Sequence, residues 1–247
     1  MKRIGRIVSY TVLLSTLSAC ASSPLSSGAM PTKKAIPEKN DRSTLNQLAK
    51  TDFDRITDVE MQENTESLRI LMIKLYKRNP HELQKSTPDS AEKMASWVLD
   101  GEAQHHYKFA AINNAQDTQA IFLAFKPDYT GDRVLPFIVG LQTMLFKAHG
   151  SKTDFYFTDT VDPQSIYNVA RNIEIAAWKL SNSNKADGTP YLLTNELNDK
   201  EKNLSFEREF GKMIGRTDLY AITLAEKSQR MISRVMQNLA TALFLPF

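Results

Sequence analysis

Cysteine occurs once in the 247 residues, at Cys20, so no disulfide can staple this chain to itself. Glycine is scarce as well. None of its 9 residues falls in a Gly-x-Gly-x-x-Gly or Gly-x-x-x-x-Gly-Lys cradle, and Gly211-Lys212 lacks the upstream glycine that a phosphate loop needs. No run of about 18 apolar residues is present to cross a bilayer as a mature helix. The four histidines and single cysteine supply few soft metal ligands, and no Gly-x-Ser-x-Gly elbow marks a serine nucleophile. Charge of one sign is also missing. Of 31 basic side chains, three are Lys2, Arg3 and Arg6, the only charges before position 33, and the rest are matched one for one by 28 acidic ones. The main body is therefore formally neutral, which excludes a general phosphate-binding surface and with it a nucleic-acid partner.

What is present begins with an address. Lys2, Arg3 and Arg6 precede an apolar run opening at Ile7-Val8-Ser9-Tyr10-Thr11-Val12-Leu13-Leu14. At roughly 11 residues that run has the length of a secretory signal, too short for a span. Leu17-Ser18-Ala19-Cys20 follows, and this tetrapeptide resembles the lipobox of bacterial lipoproteins. The resemblance implies that residues 1–19 are removed and that Cys20 is diacylated on sulfur and acylated on its new amino group. One acyl chain holds a protein marginally, at about 0.8 kcal/mol per buried methylene, whereas two or three make residence on a membrane stable. Cys20 is then an anchor with no thiol left for chemistry. Ala21 and Ser22 stand where such lipoproteins carry an Asp for inner-membrane retention, so the resemblance implies an outer-membrane location facing the periplasm.

Residues 20–52 read as a flexible tether, with Ser22, Ser23, Ser26, Ser27 and Gly28 among Pro24, Pro31 and Pro37, followed by scattered charges and little apolar periodicity. Roughly 30 such residues reach on the order of 30 Å. A short helix around Leu45–Leu48 could already dock on the domain.

The remainder, 53–247, is the size of one domain, and its pattern is helical. The fold expected is a mainly α, single-domain helical bundle around a buried central helix at about 132–148, with room for one small two-stranded element. In that central stretch apolar residues cover nearly every face, Asp132 is placed to cap and Gly150 lies just beyond the end. Around it, helices are expected from Val59 to Lys77, stopped by Asn79-Pro80, and after Thr87-Pro88 with Met94, Trp97 and Val98 inward. Asp162-Pro163 should open another. A further helix capped by Ser205 should reach Ile214, and a last one capped by Thr217 should run to Leu243. Thr118–Phe125 is helix or strand, and Thr153–Thr158 alternates as a short strand would.

Candidate chemistry is sparse. Glu102 with His105-His106 comes nearest to a metal set, but adjacent histidines point to different sides of a helix or strand, whereas zinc takes converging ligands. In His81-Glu82-Leu83-Gln84-Lys85 a lysine stands where a zinc-protease helix needs its second histidine, so neither metal nor cofactor is expected. The densest polar cluster is Asp154, Tyr156, Asp159 and Asp162, leading into Tyr167, Asn168, Arg171, Asn172 and Glu174. On a helix Asn168 and Asn172 share one face, and Tyr167, Arg171 and Glu174 another. Asp154, Tyr156, Asp159, Tyr167, Asn168, Arg171 and Glu174 are thus the candidate binding residues, for a peptide or glycan, against the plainer reading of an interhelical network. Asp128, Asp132 and Arg133 suit a turn and helix cap. The final Phe244-Leu245-Pro246-Phe247 ends like an outer-membrane barrel strand, but helical periodicity precedes it, so docking onto the core is expected.

The ordered run Gly131-Asp132-Arg133 through Leu145, then Lys152-Thr153-Asp154-Phe155-Tyr156 and Asp162-Pro163-Gln164 to Trp178, is similar to an uncharacterised family of proteobacterial lipoproteins. That resemblance transfers no activity. The expected function is a membrane-anchored, non-enzymatic binding or scaffold module with an envelope protein or glycan as partner. The alternatives are a carboxylate-dependent glycan hydrolase, which needs two acids about 5–10 Å apart in a cleft, and a lipid carrier, which needs an enclosed apolar cavity.

Overall fold

A computed structural model describes residues 50–156, 160–197, 202–234 and 243–247, so Cys20, the signal segment, nearly all of the tether and Asp159 lie outside the described residues. Helix α1 spans Asp52–Arg78. It starts ahead of the expected Val59 because Thr51 and Asp54 form a capping box: the Thr51 hydroxyl accepts from Asp54 N at 3.2 Å and Asp54 Oδ2 accepts from Thr51 N at 2.8 Å. Asn79-Pro80 ends it, and Pro80 opens the short α2, Pro80–Ser86.

Ser90 caps α3, Ala91–Asp100. Its inward stripe is Ala91, Met94, Ala95 and Val98; Trp97, expected inward, is 49% exposed. The stripe at i, i+3, i+4 and i+7 leaves position 97 at its edge, where the indole packs on a loop rather than on the core. A short helix α4, Glu102–His105, and a single 3₁₀ turn at Ala110–Ile112 lead to α5, Asp117–Ala124, so the apolar run there is helix.

The central helix α6, Val134–Ala148, buries every residue except Phe146 and Lys147. Each fully buried Leu, Ile or Phe there contributes about 1.5–3 kcal/mol of transfer free energy. Asp132 caps it, with Oδ1 accepting from Val134 N at 2.9 Å and Leu135 N at 3.3 Å. Gly150, at φ +75°, turns the chain away while Gly150 N and Ser151 N donate to Lys147 O and Phe146 O. The closest neighbour of α6 is α5. Gly140 is the reason: a Cβ there would stand 2.6 Å from both Asp117 O and Ile121 Cγ1.

Asp162 caps α7, Pro163–Asn182, through Ser165 N at 2.9 Å, and its apolar stripe from Ile166 to Leu180 is buried against α6 and the last helix. A two-stranded antiparallel element pairs β1, Glu196–Leu197, with β2, Lys202–Asn203. Residues 153–156, expected to enter a strand, are irregular instead, because Phe155 N donates to Asp58 Oδ1 at 3.2 Å and the Phe155 ring is buried. Phe157 and Thr158 lie outside the described residues.

The sequence divides the last part at Thr217, but the structure does not. Helix α8, Ser205–Ser228, runs through it unbroken. Thr217 caps nothing: its hydroxyl is buried against α1, donating to Glu60 Oε1 at 3.0 Å and accepting from Asn64 Nδ2 at 3.1 Å. Ser205 does not cap either; Asn203 Oδ1 accepts from Ser205 N at 3.1 Å. The helix stops at Gln229 in the left-handed region, short of Leu243, and leaves Ile222 45% exposed. No helix among the described residues is long and apolar enough to cross a membrane.

Candidate functional site

An open pocket of about 620 Å³ lies between α2, α3, the loop after α4 and the turn at 129–132. Its first wall is aromatic. Trp97 sits 4.9 Å from Phe109 and 5.7 Å from His105, and His105 lies 4.5 Å from Phe109, centroid to centroid. Tyr107 N donates to His105 Nδ1 at 3.0 Å, so the ring proton is on Nε2, which donates to Trp97 O at 3.0 Å. Only glycine at 101 allows this, since a Cβ would come within 2.6 Å of Trp97 O and 2.8 Å of His105 Nε2.

The loop holding that wall is strained. His106 and Tyr107 are both left-handed, at φ 48° and 54°. Each such non-glycine residue costs about 1–2 kcal/mol, which persists only where packing over-determines it. Tyr107 supplies that packing: it is 3% exposed, its hydroxyl accepts from Gln142 Nε2 at 3.2 Å, and burial pushes its phenol up to about 12.

The second wall is the turn before α6. Asp132, 4% exposed, accepts from Tyr76 OH at 2.6 Å and Ser86 Oγ at 2.7 Å as well as the two α6 amides. Burial raises its carboxyl above the usual carboxylate range, and these donors offset only part of that. Burial, reinforced by Asp132, likewise drives the Tyr76 phenol far up. Arg133 locks the turn by donating to Ala124 O, Lys126 O and Tyr129 O at 2.7, 2.9 and 2.5 Å, while its guanidinium stacks 4.3 Å from the Tyr191 ring. The 128–133 segment is thus the turn and cap the sequence indicated, and a pocket wall besides.

Three lysines line the rim. Lys85 pairs with Glu82 at 2.7 Å and Lys93 with Asp89 at 3.0 Å. Lys108 is exposed and has no acidic partner among the described residues.

The polar cluster singled out in the sequence is divided among four places. Asp154 pairs with Lys50 at 3.0 Å, and the Lys50 ammonium lies 5.2 Å over the Tyr156 ring. Arg171 bridges to Asp218 of α8 at 2.5 Å and pairs with Glu174 of its own helix at 3.0 Å, over the Tyr167 ring at 5.1 Å. Asn168 and Asn172 turn instead to the C-terminal tail, with Asn168 Nδ2 donating to Pro246 O at 2.6 Å. Asp162 caps α7, and Asp159 lies outside the described residues. None of these residues lines the pocket.

Sequence reasoning also passed over a buried pair. His149, fully enclosed, donates from Nδ1 to Leu145 O at 2.8 Å, and its Nε2 lies 2.8 Å from Glu60 Oε2; neither of those two atoms has another partner. The contact brings an imidazole and a carboxyl to ion-pair distance in a closed interior. Glu60 Oε1 takes Asn64 Nδ2 at 2.5 Å and the Thr217 hydroxyl, and Tyr220 stacks on the imidazole at 5.5 Å.

Comparison with known proteins matched no family model, no curated protein and no solved structure.

Proposed function

We propose that the chain is an outer-membrane lipoprotein, anchored through Cys20 and facing the periplasm, whose helical domain binds an acidic glycan of the envelope without transforming it. The observation that carries this reading is the composition of the pocket. An aromatic wall, the half-exposed Trp97 backed by His105 and the buried Phe109, offers a flat apolar surface on which the C–H face of a sugar ring packs, and Lys108 offers a charge not already spent. Both acids in the lining are engaged, Asp132 by four donors and Asp89 by Lys93, which favours holding a ligand over hydrolysing it. The pocket is open and rimmed by lysines, unlike the enclosed apolar cavity of a lipid carrier.

One specific observation favours the hydrolase as a second reading: the raised carboxyl of Asp132 beside a cavity is what a general acid requires.

The test is a titration of Trp97 fluorescence, in a Trp178→Phe background, with N-acetylmuramic acid and with N-acetylglucosamine, which lacks the lactyl carboxylate. Saturable quenching is expected for the acid, with a preference of about tenfold, the size of one charge-assisted hydrogen bond. Lys108→Ala should erase that preference. Equal binding of the two sugars, or none, sinks the glycan reading. Release of soluble fragments from peptidoglycan, lost in Asp132→Asn, would install the hydrolase. A Cys20→Ser chain should leave the membrane fraction.

A further inference from the structure

Helix α7 carries Gln164, Asn168 and Asn172 at successive spacings of four, so three side-chain amides stand in a row about 6 Å apart on one face. All three are used on main chain. Gln164 Oε1 accepts from Ser233 N at 2.8 Å, and its Nε2 donates to Asn168 Oδ1 at 2.8 Å and to Ser233 O at 3.3 Å. Asn168 donates to Pro246 O. Asn172 Oδ1 accepts from Leu245 N at 2.6 Å while its Nδ2 donates to Leu245 O at 2.8 Å. That last pairing satisfies both backbone groups of one residue, as a neighbouring strand would. It reads extended backbone and is blind to the side chain at 245.

Side-chain preference comes from the flanks. Phe244 meets Phe122 of α5 edge to face at 5.1 Å, Lys179 lies over the opposite ring at 5.1 Å, and Phe244 and Phe247 both pack against the core while half-buried. Pro246 has no N–H to satisfy and holds the preceding Leu245 extended. Asn172 is fully buried with the tail in place, so departure of the tail would exchange these two main-chain bonds for bonds to water unless another extended chain replaced it.

We propose that this face of α7 with Phe122 is a peptide-recognition groove, and that Phe244-Leu245-Pro246-Phe247 is a built-in competitor for an extended aromatic–aliphatic–Pro–aromatic segment of a partner protein. The groove shares no residue with the pocket, so either assignment can fail without the other. It also gives Asn168 a recognition role, toward a peptide main chain.

Competition makes the proposal testable in the full chain. Leu245→Pro removes the amide that Asn172 receives, which should weaken the tail in its own groove. A fluorescein-labelled peptide with the sequence of residues 243–247 is then titrated by anisotropy. Apparent affinity scales with the fraction of empty grooves, so the peptide should bind the Leu245→Pro chain about tenfold more tightly than the unaltered chain. Adding Asn172→Ala should abolish that binding, and a peptide that itself carries the proline should not bind. If Leu245→Pro fails to fold, Phe244→Ala, which removes only the ring contact on Phe122, should give the same order of affinities. Equal affinity for altered and unaltered chains, or no binding to either variant, overturns the proposal. So does a dimer that depends on Phe244–Phe247, because a second copy and not a partner protein would then supply the segment.

Discussion

Glu60 and Asp132 are both buried carboxyl groups, 3% and 4% exposed, and both lie beside the central helix, yet their surroundings differ in kind. Glu60 faces His149 at 2.8 Å, with α1, α8 and the end of α6 closed around the pair. Asp132 has no cationic partner among the described residues; it is held by two hydroxyls and by two backbone amides, both of which belong to the helix it caps. The first arrangement is sealed and paired with an imidazole, the second is open on one side to a pocket. Burial of a titratable group therefore does not by itself mark a site. What distinguishes Asp132 is that it lines a cavity together with two of its donor residues, Ser86 and Leu135.

The largest effect expected from breaking this comparison falls on the sealed pair. Removing His149 by His149→Ala strands Glu60 in a dry interior, at a cost of about 3–5 kcal/mol. Urea unfolding measures it. A loss below about 1 kcal/mol would mean that water reaches Glu60, and the contrast with Asp132 would collapse.

Asp132→Asn should cost less, about 1–3 kcal/mol, because the amide keeps one oxygen for the α6 cap and loses only part of the hydroxyl bonding. Its pH signature is more informative. A carboxyl raised in the folded state keeps its proton longer than in the unfolded chain, so the folded state binds more protons above the ordinary carboxylate value and stability falls as pH rises there. The stability advantage of the unaltered chain over Asp132→Asn should thus be greatest near pH 4 and shrink toward neutrality. Thermal melts of the two proteins at matched pH check the sign, and an advantage that grows with pH would contradict it.

How far the sequence anticipates these regions follows from the range over which each is specified. Asp162-Pro163, the all-apolar α6 and the stop at Asn79-Pro80 are local signals and appear where expected. Thr217 misleads because a hydroxyl before Asp218 reads as a cap, whereas Glu60, distant in sequence, claims it in the fold. Trp97 misleads because its size suggests core while its angular position does not. The pocket is illegible for a stronger reason. It joins the 85–97, 105–111 and 129–135 stretches through the bends at Gly101 and the left-handed His106-Tyr107, which no periodicity announces. The amide row on α7 is the intermediate case. The shared face of Asn168 and Asn172 is readable, but the tail that occupies it is brought in by tertiary structure.

The smallest effect on stability and the largest on recognition should come from one substitution, Trp97→Ala. The indole is half exposed and its main partners are Phe109 and His105 on the strained loop, so truncation forfeits an aromatic contact of about 0.5–1.5 kcal/mol and little core. The sealed Glu60–His149 pair does not touch it. If the aromatic wall is the ligand platform, binding of N-acetylmuramic acid to Trp97→Ala, followed by calorimetry since the fluorophore is gone, should fall below detection while the melting curve hardly moves. A large drop in stability with binding retained would reverse the assignment, making the aromatic wall a structural prop for the loop and leaving Lys108 without a platform beside it.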